Sequence, residues 1–112
     1  MNWRDNLRRA ADIVEARGLR QGGVVGDDGS VCAGGAIAEA ITGDPMSASY
    51  WDYDSHNGVG SLERSAVLRH VGLLHTGGPA TVMAMCTWNN ARGRTAAEVA
   101  EVFRRASEVE RG

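Results

Sequence analysis

The 112-residue chain contains no lysine; all twelve basic residues are arginine. With fourteen acidic residues the net charge is −2, so no overall positive field draws it to nucleic acid or to an anionic membrane. Only two cysteines are present, Cys32 and Cys86, and their spacing matches no metal-binding pattern. No apolar run approaches the length of a membrane span. The charged helical pattern that starts at Trp3 leads us to expect no cleavable leader and a cytoplasmic setting with reduced thiols. Aromatic residues number six, and three of them crowd into one four-residue window. Low-complexity tracts and internal repeats are absent.

What is present is enough for one folded domain. The apolar fraction of 43% is ordinary for a globular protein, and the length exceeds that at which disulfides or metals become necessary. From Trp3 to Arg17, apolar residues recur at Trp3, Leu7, Ala10, Ala11 and Val14, which predicts an amphipathic helix. Asn2 is its expected N-cap and Gly18 its stop. Two β-branched runs flank Asp27-Asp28-Gly29, which predicts a small β-hairpin around residues 23–32. Ala33 to Thr42 is alanine-rich with Ile37 and Ile41 one turn apart, and Gly43-Asp44-Pro45 ends it. The Gly34-Gly35 pair costs about 1 kcal/mol per glycine inside a helix. It marks either a first turn or a close approach of another backbone.

Residues 44–61 are rich in Gly, Ser, Asp and Asn and read as a long surface loop. A further helix is expected from Leu62 to about His75, with Ser61 as its cap and Gly77-Gly78-Pro79 as its break. Ala80 to Trp88 fits a buried strand or a short helix, and its Met and Ala content favours helix. The last helix is announced by a Thr95/Glu98 capping box ahead of Val99, Val102, Phe103, Ala106 and Val109. The predicted fold is therefore mainly α, a compact bundle of four or five short helices with the hairpin on one side.

Two blocks stand out. Cys32-Ala33-Gly34-Gly35-Ala36 opens an apolar helix, and Trp88-Asn89-Asn90 precedes the capped helix that begins Thr95-Ala96-Ala97-Glu98-Val99. Together, over residues 3–42 and 80–109, they resemble a small domain family of unknown function found in actinobacteria and their phages. The resemblance implies a helical fold and an actinobacterial or actinophage setting, and it implies no activity. Arginine without lysine is the usage of GC-rich coding, which agrees with that setting. The family pattern usually has aspartate where this chain has Asn90, so an acid–base or metal role for that aspartate does not carry over.

Several arrangements could carry function. Gln21, Cys32, His75 and Asn89 follow the chain order of papain-like thiol enzymes, and a cysteine at a helix N-terminus has its thiolate favoured by the dipole. The flanking signatures of those enzymes are missing, so Cys32 is expected to be a small buried hydrophobe. Trp88, Asn89 and Asn90 are expected to shape and cap the chain before the last helix. Asp52, Asp54, His56, Val59 and Glu63 fall near the ligand spacing of a calcium loop, but Asn57 occupies the place that needs glycine. Asp52, Asp54 and His56 lack the further ligands of a zinc site. Thr95 to Ala100 resembles the first helix of a helix-turn-helix, with too little chain after it for a recognition helix. Arg92, Arg94, Arg104 and Arg105 fit a solvated helix face. Neither cofactor nor metal is expected, and no nucleic acid or membrane partner.

The most pointed arrangement is Tyr50-Trp51-Asp52-Tyr53, inside the polar loop and off any periodic face. Tyrosine and tryptophan give large contact area at low entropy cost and recur as binding anchors. The expected function is thus a non-catalytic interaction or accessory protein that engages a protein partner or a second copy of itself. A small thiol-dependent enzyme centred on Cys32 is the alternative.

Overall fold

The computed structural model describes residues 2–50, 60–73 and 82–110. Among them are five α-helices: α1 (Trp3–Arg17), α2 (Ala33–Thr42), α3 (Ser61–His70), α4 (Val82–Asn89) and α5 (Ala96–Val109). The expected mainly helical fold is the one observed, and the ambiguous segment before Trp88 is helix.

Helix α1 starts where Asn2 Oδ1 accepts the Asp5 N–H at 2.9 Å and stops at Gly18, whose φ is 87°. Its apolar stripe, Leu7, Ala10, Ala11 and Val14, is fully buried. It packs along α5, which contributes Val99, Ala100, Phe103 and Ala106. Polar groups rim this contact. Arg104 reaches Asp12 and Glu15 on α1, while the Arg4 guanidinium donates to the Ser107 and Glu110 carbonyls at the end of α5. A cation at a helix C-terminus meets both its free carbonyls and its dipole.

Helix α2 is the central element. Ala33, Gly34, Gly35, Ala36, Ile37, Ala38 and Ala40 are all buried, so it is apolar on most of its circumference. Small side chains let α1, α4 and a 3-10 helix (Pro45–Tyr50) all pack against it. Helix α3 lies against α5, α1 and α4.

Three local expectations need correction. The hairpin of residues 23–32 is not formed. Val31 makes one isolated bridge to Val25 and another, parallel, to Leu19, with no ladder beyond them. A turn does close at Gly29 (φ 86°), where the Gly29 N–H donates to the Gly26 carbonyl at 3.0 Å. Pairing cannot extend from it, because Cys32 already leaves for α2 and the opposite strand would have to run through Gly22 and Gly23. Residues 18–32 are instead a folded loop pinned on both sides of Val31.

The expected loop of residues 44–61 begins as the 3-10 helix Pro45–Tyr50 and ends with the first residue of α3. Gly60 (φ 81°), not Ser61, is the N-cap of α3. That helix also stops earlier than expected. Gly72 takes φ 78°, the Leu73 N–H donates to the Leu68 carbonyl and the Gly72 N–H to the Arg69 carbonyl. This paired closure is the Schellman stop, and it ends the helix at His70.

Candidate functional site

The start of α2 and the end of α4 meet at one junction, and both motif blocks lie in it. Helix starts leave N–H groups free and helix ends leave carbonyls free. Cys32 is the N-cap of α2, and its Sγ accepts the Gly35 N–H at 3.1 Å. Asn89, only 2% exposed, accepts the Ala33 N–H through Oδ1 at 2.7 Å. Its Nδ2 donates to the Arg20 carbonyl at 3.0 Å and to Asn90 Oδ1 at 3.1 Å. Asn90 Oδ1 in turn accepts the Gly22 N–H at 2.9 Å.

The carbonyls at the end of α4 are covered from the other side. Gln21 Nε2 donates to the Asn89 and Ala91 carbonyls at 3.0 and 2.8 Å. Arg94 Nε donates to the Trp88 carbonyl at 3.0 Å, and its guanidinium lies 4.6 Å from the centre of the buried Trp88 ring. That stacking adds cation–π attraction to the hydrogen bond. Gly35 lets the loop approach. A Cβ there would stand 3.2 Å from the Val24 carbonyl oxygen and 3.1 Å from Val24 Cγ1. Both glycines thus lie in the first turn of α2, and Gly35 also meets the close backbone contact.

Of the papain-like order, Gln21, Cys32 and Asn89 come together, while His75 lies outside the described residues. Their chemistry is already engaged. Both polar atoms of the Asn89 amide hold backbone, and Gln21 donates to backbone carbonyls. Burial pushes the Cys32 thiol up from its ordinary value, against the opposing pull of the Gly35 N–H. Desolvation therefore outweighs the helix-terminus effect that would favour a thiolate.

A family model for a family of unknown function, DUF6197, matches residues 2–109. The chain belongs to this family. No curated protein and no solved structure matches it. The DUF6197 match runs through residues 43–79, which the motif resemblance had left out.

Within this DUF6197 domain the capping box before α5 is half formed. Thr95 Oγ1 accepts the Glu98 N–H at 3.2 Å. The Glu98 carboxylate takes Arg94 at 3.0 Å, so the arginine that stacks on Trp88 also ties α5 to the junction. Trp51, Asp52 and Tyr53 lie outside the described residues, as do Asp54, His56, Asn57 and Val59; Tyr50 closes the 3-10 helix. Glu63 of the calcium template is 5% exposed, and its Oε2 accepts from Asn6 Nδ2 at 2.8 Å. Among the described residues no group of three or more His, Cys, Asp or Glu could hold a metal, and no helix is long and apolar enough to cross a membrane.

The structure also reveals a buried polar group that periodicity could not find. Asn6 and Glu63 are buried where α1 meets α3, and Arg64, next in the chain, is only 1% exposed. Burial lowers the Arg64 guanidinium from its ordinary value, and the neighbouring Glu63 charge opposes that. Polar residues beside an apolar stripe look like a solvated edge in sequence, and nothing in their spacing marks them as interior.

Proposed function

We propose that this DUF6197 protein is a non-catalytic interaction protein, an accessory factor of an actinobacterial or actinophage cytoplasm, which binds a protein partner or a second copy through Tyr50, Trp51, Asp52 and Tyr53. One observation carries the preference for binding over chemistry. The polar side chains of the motif junction are committed to backbone hydrogen bonds, and its cysteine is a buried thiol held in the neutral form. A nucleophile needs the thiolate and a free base beside it.

Support for the aromatic segment comes from its composition and its anchor. Three of six aromatic residues fall within it, among polar neighbours. The segment follows a 3-10 helix that is packed on α2, the most buried element of the fold. Rings left in water forgo about 25 cal/mol for each Å² of apolar area that a partner could cover.

The test is the triple replacement Tyr50→Ser, Trp51→Ser, Tyr53→Ser. Circular dichroism is expected to show the helical content unchanged, while light scattering or pull-down from the native host shows loss of self-association or of the captured partner. Association at wild-type strength in a folded triple variant would remove the aromatic segment as the contact. Thiol titration separates the alternative: at neutral pH Cys32 is expected to react more slowly than free cysteine, and faster reaction would favour a thiol-dependent enzyme.

A further inference from the structure

Both cysteines are free thiols, and neither has a part in the proposed binding. Cys32 caps α2. Cys86 is on α4, one turn before Asn89, and residues three apart on a helix share a face. The Asn89 face is docked on α2, because Asn89 Oδ1 lies 2.7 Å from the N–H of Ala33, the residue that follows Cys32. The two helices pack directly against each other. The thiols therefore flank one helix contact. They also feel each other electrostatically: a charge on Cys86 disfavours ionisation of Cys32.

We infer that Cys32 and Cys86 are an oxidisable pair which closes to an intramolecular disulfide joining the start of α2 to α4. Cys86 is half-buried and Cys32 buried, so oxidant reaches Cys86 first. With a small organic disulfide such as oxidised glutathione, the Cys86 thiolate attacks one sulfur and expels one glutathione thiolate. Cys32 then loses its proton to solvent and its thiolate attacks the Cys86 sulfur, expelling the second. Two thiols are oxidised, one glutathione disulfide is reduced to two glutathione molecules, and the only new bond left in the protein is Cys32–Cys86. Burial raises both thiols from their ordinary values, so the exchange is slow at neutral pH and accelerates as pH rises. Closure needs the two Cβ atoms within about 4.5 Å, so it also measures how closely the helices approach.

The experiment exposes the folded full chain, dilute and without denaturant, to oxidised glutathione at mildly alkaline pH. An alkylating quench, intact mass and peptide mapping follow. The expected product is a monomer lighter by two hydrogens, carrying neither alkyl group nor glutathione, with the Cys32 and Cys86 peptides linked and released by dithiothreitol. Cys32→Ala is expected to stop at a glutathione adduct on Cys86. If that variant does not fold, the wild-type peptide map decides alone. A persistent wild-type glutathione adduct, two alkylated thiols or a disulfide-linked dimer would each overturn the pairing.

Discussion

Along the α1–α5 contact the interior is apolar from Leu7 to Val14 and from Val99 to Ala106, and Arg4 and Arg104 bond at its rim. At the α2–α4 junction the interior is itself polar: one buried amide, Asn89, bonds to backbone at residues 20 and 33. The first contact is additive and forgiving, since many small dispersion and transfer contributions sum along it. The second depends on geometry, since a displaced amide leaves buried donors and acceptors unmatched. The difference separates what holds the domain together from what fixes the path of residues 18–35.

Phe103→Ala gives the largest expected loss, about 3–5 kcal/mol, because the ring is fully buried between helices. Chemical denaturation should report it as a shift in midpoint for the whole domain. Asn89→Ala should cost less, about 2–3 kcal/mol, by stranding the Ala33 N–H and the Arg20 carbonyl. Its signature is regional: hydrogen exchange should rise across residues 18–35 while α1 and α5 stay protected. Uniform exchange through both regions would break the distinction between them.

Gly35→Ala sharpens the same point at smaller scale. Alanine favours helix by about 1 kcal/mol, but its Cβ would press on the Val24 carbonyl. That oxygen already accepts the Cys32 N–H at 2.9 Å and cannot retreat freely. We expect a net loss of about 1 kcal/mol from the crowding, read as a lowered denaturation midpoint; a stabilised variant would mean the loop yields easily. Thr95→Ala has the smallest expected effect, about 0.5–1 kcal/mol, through loss of one exposed cap bond. An unchanged midpoint would show that the Arg94–Glu98 pair alone is sufficient to start α5.

These contrasts explain what was legible in the sequence. Helices α1 and α5 announce themselves by spacing, and Asn2, Gly18 and Thr95 mark their ends, because caps and stripes are local rules. The stop of α3 at Gly72 was legible in principle, yet Leu73 and Leu74 continue the apolar pattern past it. The hairpin stops at a single bridge because Cys32 already begins the turn into α2 and glycines lie opposite; the second bridge of Val31, to Leu19, is one that no turn signal encodes. Asn89 is expected from sequence to shape the chain before the last helix, and its partners at residues 20 and 33 are far from it in sequence. Glu63 fits only a calcium-loop spacing in the sequence, since nothing in its neighbourhood points to Asn6 on α1. Cys32 was expected to be buried, and its Sγ proved also to be a helix cap.

Because α1 packs chiefly on α5, it is synthesised about ninety residues before the helix that covers it. On the ribosome, the stripe from Leu7 to Val14 has emerged while Val99 and Phe103 are still to be added. The nascent chain must carry a partly uncovered apolar surface until α5 has been made, which makes the unfinished chain a natural client for chaperones. A premature stop before residue 96 would leave that surface exposed for good, so truncated products should be found in the aggregated fraction.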